Sequence, residues 1–248
     1  MFDRSKILIG VPGTYNYPNS KNWIECESTW IPLLRDKGYD VLILLSDESQ
    51  IENYKIRGNF FITKNSDLKD GLYYKNYFHI SDYVLISDRY DYYFKIDSDS
   101  FVHPERFDRM VQSLIEMDET PDYLGCCCPA RGWDTRTPCF EKIDEGHGFA
   151  SGAAMMLSRK ALEILKRDFN PDIHLDLHFD DLLVGNILRP HLPLYHDSRI
   201  LMYSKYNMAE IVDLHDTGPA FITEEDSHLA IQHYCDGHMN EIISDIYK

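Results

Sequence analysis

Residues 91 to 102 read Asp-Tyr-Tyr-Phe-Lys-Ile-Asp97-Ser98-Asp99-Ser-Phe-Val, an aromatic and β-branched run that ends in two carboxylates one residue apart. Such a run buries itself as a strand, and open α/β sheets receive their ligands at the carboxyl ends of strands. Paired carboxylates at that point suit a hard cation. Mg²⁺ or Mn²⁺ takes a few oxygen ligands and keeps positions open for a phosphate-bearing substrate. The plainer alternative is a solvated turn that happens to carry two Asp residues. The flanking sequence favours the cation, because a strand leads in and an amphipathic helix leads out. Pro104 sits where a first helical turn tolerates proline, and Phe107, Met110, Val111, Leu114 and Ile115 follow at helical spacing.

The elements that must position this pair are legible on either side. Ile7 to Val11 is a short apolar strand closed by Pro12-Gly13, and Val41 to Leu45 and Phe60 to Ile62 are further buried strands. Between the first two lies a helical stretch with Trp23, Cys26, Trp30 and Leu34 on one face, divided by Pro32 and stopped by Gly38. Residues 67 to 86 read as helix, residues from Tyr123 as strand, and 129 to 148 as a long loop. Phe149 to Leu157 is small and apolar, and Ser158 caps the helix after it. This alternation indicates an α/β fold with a largely parallel sheet covered on both faces. With 248 residues, 44% of them hydrophobic, and no linker or repeat, a single domain over 1–248 is expected.

A formal charge of −16 argues against nucleic acid or an anionic membrane surface as the main partner, since both reward clustered Lys and Arg. An acidic chain that handles an anionic substrate needs a metal or local cations to offset repulsion. The start of the chain has no signal-peptide pattern, and no apolar stretch approaches the ~18 residues of a membrane span. A soluble cytoplasmic protein is expected. The six cysteines, three of them consecutive at 126–128, form no zinc pattern. They read as mostly reduced small apolar residues, with a Cys128–Cys139 pair as the minor alternative.

Taken in order, Ser28-Thr29-Trp30, the strand ending in Asp97-Ser98-Asp99, Gly148-Phe-Ala-Ser-Gly-Ala-Ala-Met-Met-Leu-Ser158, Phe179-Asp-Asp-Leu-Leu-Val-Gly185 and a late His-bearing strand form a pattern. It resembles the Fringe and β-1,3-galactosyltransferase-like glycosyltransferases of the GT-A fold, over roughly residues 5 to 235. The resemblance implies a Rossmann-like sheet flanked by helices, a nucleotide-sugar donor (a UDP-sugar by family habit), a glycan-type acceptor and Mn²⁺ or Mg²⁺. It makes Asp99 the direct metal ligand, with Asp97 beside it on the ribose or on the metal, and a late histidine completing the site. His233 fits that position best, ahead of His228 and His215. Family members usually carry three consecutive acids here, and Ser98 stands in the middle of this triplet. The resemblance further makes Asp181 the general base of an inverting transfer, with Asp180 as a neighbour able to raise its pKa. Ser151 and Gly152 would contact the donor sugar, and Pro12-Gly13-Thr14 would receive the base and ribose. Arg89 or Lys95 could reach a phosphate.

Three rivals remain open at this level. A metal-dependent phosphohydrolase would place further carboxylates beside Asp97 and Asp99 for two-metal chemistry. A non-catalytic sugar-binding module would have lost the base or the metal ligand. A retaining GT-A enzyme would share the metal motif and differ only in the role of Asp181.

Overall fold

The computed structural model describes residues 3–14, 22–67, 69–128, 140–143, 148–175, 179–201 and 231–232. The first half is an alternating run of strands and helices. It comprises β1 (Ile7–Pro12), α1 (Asn22–Ser28), α2 (Trp30–Asp36), β2 (Asp40–Ser46), the hairpin β3 (Tyr54–Arg57) and β4 (Phe60–Thr63), and α3 (Lys69–Tyr73). A π-helical segment (Tyr74–Phe78) then runs into α4 (His79–Ser87), followed by β5 (Tyr92–Ile96), β6 (Phe101–Val102) and α5 (Pro104–Ile115). The second half holds β7 (Tyr123–Cys128), β8 (Phe140–Ile143), β9 (Phe149–Ser158), α6 (Arg159–Asp168), α7 (Pro171–His174), α8 (Asp180–Leu188), β10 (Leu194–Asp197), β11 (Ile200–Leu201) and β12 (Ile231–Gln232).

Nine strands form one sheet in the order β3-β4-β2-β1-β5-β9-β7-β10-β8, and β11-β12-β6 form a small second sheet. The expected parallel pairing holds for β4, β2, β1 and β5. The other half is mixed, because β9 runs antiparallel to both β5 and β7. Period-2 alternation explains the unbroken apolar runs. Ile7, Ile9, Val11, Val41, Ile43, Phe94 and Ile96 point to one face, where Trp30 and Leu34 of α2 and Phe107, Val111 and Leu114 of α5 cover them. Leu8, Leu42, Leu44 and Tyr93 point to the other, beneath Tyr77, Val84, Leu162, Leu165, Val184 and Leu188.

Several local expectations change in detail. The helix divides at Thr29, not at Pro32, and Pro32 sits in the first turn of α2, where its missing N–H costs nothing. The hairpin strand β3 has no expected counterpart, and Gly58 in its turn takes a φ of +56°. The loop read over 129–148 contains a strand, β8, held antiparallel to β10. Ser158 caps α6 as expected, its hydroxyl accepting the Ala161 N–H at 3.2 Å. Cys26, Cys126 and Cys127 are buried free thiols, and the Cys128–Cys139 alternative lies outside the described side chains. Among the described residues no helix is long and apolar enough to cross a membrane.

The helix that leaves the Asp pair is anchored by a polar clamp. Asp108 on α5 accepts two hydrogen bonds from the Arg4 guanidinium, at 2.6 and 2.8 Å, and one from the Tyr39 hydroxyl at 2.8 Å. Burial raises the Asp108 carboxyl, but the Arg4 and Tyr39 hydrogen bonds outweigh it and hold it below its ordinary value. This stabilisation is present above the unfolded carboxylate pKa and is lost as pH falls through the lower folded one. Asp108→Ala should therefore cost ~1–3 kcal/mol at neutral pH, because it strands a buried tyrosine hydroxyl. Chemical denaturation at pH 7 and pH 3 checks this, and the gap between variant and parent should shrink at the acid pH.

Candidate functional site

The carboxyl ends of β1, β2, β4, β5 and the start of β9 lie at one edge of the main sheet, and the candidate residues gather there. Asp97 follows β5 directly. Its N–H donates to the Ala153 carbonyl at 3.0 Å, and its own carbonyl accepts the Ser100 N–H at 3.1 Å, which closes the Asp97–Ser100 turn. The Cys26 thiol of α1 donates to the Ser98 carbonyl at 3.2 Å. Burial raises the Cys26 thiol well above its ordinary pKa, and the Asp99 charge adds to that. Asp99 thus acts on the α1 side of the turn, whereas Asp97 faces β9 and α8.

Lys95 sits on the inner side of Asp97. It shares the sheet face of Tyr93, its side chain is buried to 2%, and its ammonium donates to Asp97 Oδ1 and to the Gly152 carbonyl. Burial would lower the Lys95 pKa, but the charges of Asp97, Asp180 and Asp181 more than offset this and raise it, so it stays protonated. It is committed to these partners rather than held out toward solvent. Arg89 lies before the start of β5, at its amino end, paired with Asp40 at 2.7 Å.

Asp180 and Asp181 open α8, with Phe179 in the cap position. Asp181 Oδ2 accepts the Gly152 N–H at 2.9 Å, and Oδ1 accepts the Leu182 N–H at 2.8 Å. Burial raises the Asp181 pKa, the like charge of Asp180 raises it further, and the two backbone donors and Lys95 only partly counter this. Asp180 is held by Asn76, whose Nδ2 donates to Oδ2 at 2.8 Å, and by the Asp181 N–H, which donates to Oδ1 at 3.1 Å.

Gly152 stands where these groups meet. A Cβ on it would lie 3.3 Å from Lys95 Nζ and 3.4 Å from both Asp97 Oδ2 and Asp181 Oδ2. The missing side chain leaves a small cradle rimmed by the Lys95 ammonium and by one carboxylate from each Asp pair, Asp97 and Asp181. Ser151 is not brought into it. That residue is buried to 2%, and its hydroxyl accepts the N–H of Ala153. Gly185, four residues beyond Asp181, has a packing reason. A Cβ there would come within 2.3 Å of the Phe149 Cβ on β9, so only glycine lets α8 lie close enough for Asp181 to reach Gly152.

The Pro12-Gly13-Thr14 turn gathers residues that the sequence did not flag. Lys75, from the π-helical segment, donates to the Gly13 carbonyl at 2.9 Å and to Asp67 Oδ1 at 2.5 Å. Ser46, at the end of β2, donates to the same Asp67 oxygen at 2.7 Å, and Thr14 also hydrogen-bonds Asp67. Burial lowers the Lys75 pKa while Asp67 raises it, with a net lowering. Asp67, Lys75 and Asn76 lie in a stretch whose mixed aromatic and polar composition hides any motif, and only the fold shows what they touch.

His233, His228 and His215 lie outside the described residues. Gln232 of β12 pairs with Phe101, two residues beyond Asp99. Among the described residues no three His, Cys, Asp or Glu side chains converge to hold a metal. The donor set still fits a hard cation completed by its ligand. Asp97 keeps Oδ2 toward the cradle, Asp99 lies two residues on, and diphosphate and water oxygens would fill the remaining positions. A cavity of about 280 Å³ lined by Asp3, Lys6, Asp91 and Glu116 lies at the opposite, amino end of β1 and β5 and contains none of these groups.

Gly185→Ala should cost ~1–3 kcal/mol through overpacking against Phe149. Thermal unfolding measures it, and an unchanged melting temperature would mean that α8 does not depend on this close approach.

No protein-family model matches the chain, and a search of curated proteins found no relative. Solved structures do resemble it. A glycosyltransferase involved in the glycosylation of the major capsid of PBCV-1 superposes with a TM-score of 0.50 at 12% identity, covering 97% of this chain and 98% of that one. The glycosyltransferase GlyE of Streptococcus pneumoniae TIGR4 gives a TM-score of 0.48 at 16% identity, over 92% of this chain and 55% of its own. The galactosyltransferase LgtC, solved with donor and acceptor sugar analogues, gives 0.43 at 11%. The fold, a large mixed sheet flanked by helices with the acidic turn at its carboxyl edge, is the GT-A fold.

Proposed function

We propose that this protein is a metal-dependent glycosyltransferase that moves a sugar from a nucleoside-diphosphate donor, a UDP-sugar by preference, to a hydroxyl of a glycan-type acceptor with inversion. The observation that carries the reading is the cradle at Gly152. There the carboxylate of Asp97 and the raised-pKa carboxylate of Asp181 border the same small space. GT-A architecture and the PBCV-1 glycosyltransferase neighbour agree with it.

The electrostatics favour a metal. Asp67, Asp97, Asp99, Asp180 and Asp181 supply five carboxyls at this edge. Among the described residues, the ammonium groups beside them, Lys75 and Lys95, are already bonded to Asp67 and Asp97. A diphosphate entering such a site meets net repulsion unless a cation arrives with it. Mn²⁺ or Mg²⁺ held by Asp99 and Asp97 Oδ2 would supply charge neutralisation on the leaving diphosphate. His233 is the proposed late ligand from the chain. The turn at Gly13 and Thr14, backed by Asp67, would receive the nucleoside, and Gly152 would let the sugar approach the backbone.

Asp181 takes the acceptor proton. Its desolvation and the Asp180 charge make it a better proton acceptor than an ordinary carboxylate, and the Gly152 and Leu182 N–H groups fix its orientation. Phe179, 65% exposed just before the acid pair, offers a ring against which the apolar face of an acceptor sugar can lie. The phosphohydrolase reading gains one point, since Asp181 does come near Asp97. Against it, the Lys95 ammonium borders the same space, bonded to Asp97 and to the Gly152 carbonyl, and a fixed cation there disfavours a second metal ion.

Two outcomes test the proposal. Differential scanning of the protein with UDP and UDP-sugars should show a melting-temperature rise that requires Mn²⁺ or Mg²⁺ and disappears in Asp99→Ala. A rise of equal size without metal would remove the ion from the account. In steady-state transfer assays the acid limb of kcat should lie above the ordinary carboxylate range, because Asp181 must be deprotonated to act. Asp180→Asn should move that limb to lower pH by removing the like charge, and Asp181→Asn should reduce turnover by ~10² or more. A limb that stays in place in Asp180→Asn would place the base elsewhere.

A further inference from the structure

The π-helical segment Tyr74–Phe78 is joined to each working part of the site by consecutive residues. Its extra residue per turn is marked by the His79 N–H, which bonds the Tyr74 carbonyl five positions back. A helix buries three successive side chains only where it is packed on more than one side, because each step rotates the chain by about 100°. Here Lys75, Asn76 and Tyr77 are all buried, at 1%, 2% and 0% exposure.

Lys75 and Asn76 have separate attachments. The Lys75 ammonium holds the Gly13 carbonyl and Asp67, on the side of the Gly13–Thr14 turn. The Asn76 amide holds Asp180, and the Asn76 carbonyl accepts the Tyr93 hydroxyl at 2.8 Å, from the strand that carries Lys95 and ends at Asp97. Tyr73, one residue before the segment, packs against Phe169 with ring centroids 4.5 Å apart and fixes it to the end of α6.

We infer that Lys75 and Asn76 are positioning residues for the proposed transfer: Lys75 sets the turn that receives the donor nucleoside, and Asn76 orients the acid pair through Asp180. The inference rests on the transferase reading. It divides the work between neighbouring residues, so their variants should fail in different ways. Loss of Asn76 leaves the donor turn in place and disturbs only the acids. Loss of the Lys75–Asp67 pair loosens the donor turn and leaves Asp180 with its amide partner.

The experiment is a double-mutant cycle with Asn76→Ala, Asp180→Ala and the combination, alongside a pair replacement, Lys75→Met with Asp67→Asn, that leaves no lone buried charge. UDP binding with Mn²⁺ is measured by calorimetry, kcat and donor KM by transfer assay, and folding by thermal unfolding. Asn76→Ala should lower kcat ~10-fold or more while the UDP Kd stays within about 2-fold, and it should add almost nothing in the Asp180→Ala background. The pair replacement should weaken UDP binding ~10-fold or more with a smaller effect on kcat at saturating donor. Asn76→Asp keeps the size of the side chain and sets a like charge against Asp180. It should repeat the kcat loss with UDP binding intact, which covers the case of an Asn76→Ala protein that does not fold. An Asn76→Ala loss as large without Asp180 as with it, or the same loss of binding and turnover from both sites, would overturn the inference and leave the segment as packing alone. A parent protein that binds no nucleotide with any metal would overturn the transferase reading and this inference together, whereas normal parent binding with the wrong pattern among variants would overturn only the inference.

Discussion

The buried ammonium of Lys95 is the interaction on which the site depends. It lies on the central strand, bonds the first carboxylate of the acidic turn, and bonds the carbonyl of Gly152 on the neighbouring antiparallel strand. The amide of the same glycine then holds Asp181 at the head of α8. One cation therefore links β5, β9 and α8. Desolvating an ammonium is costly, and here nearby carboxylates make the charged form the stable one. Removing it would leave Asp97, Asp180 and Asp181 to repel one another with no counter-charge between them.

Around that link, distances are set by small residues. Gly185 lets α8 pass against Phe149, and Gly152 leaves the gap that the approach of α8 creates. Asp181 and Gly185 are one helical turn apart and so share a face, which places the carboxylate and the close contact on the same side of α8. The motif spacing in the sequence thus has a packing reason of its own. The clamp of Arg4 and Tyr39 on Asp108 does comparable work for α5, the helix that leaves the acidic turn.

The surplus of carboxyls at this edge shapes which ligands it can take. Among the described residues, Lys75 and Lys95 at this edge are consumed in holding the scaffold, one at Asp67 and one at Asp97. The chain as a whole carries a formal charge of −16, so its long-range field does not draw anions in either. The proposed anionic donor, accompanied by a divalent cation, is consistent with these facts.

Much of the frame was legible in the residues. The buried strands show as apolar runs because both of their faces are covered, α5 shows as a helical stripe, and Ser158 shows as a cap. The Asp97–Asp99 pair at a strand end and the Asp180–Asp181 pair before a glycine stood out because acids are rare in such surroundings. The antiparallel course of β9 was not legible, since its run of small and apolar residues reads the same in either direction. Nor were the contacts of Asp67, Lys75 and Asn76, whose partners lie from 8 to 104 residues away; Lys75 and Asn76 also lie in a helix that departs from the 3.6 period that sequence patterns detect. The sequence by itself determined which residue types could do chemistry and on which strand and helix ends they would sit. Tertiary structure alone decided that Lys95 would stand between the carboxylates and that Gly152 would join them, because those contacts exist only once β9 has been laid antiparallel beside β5.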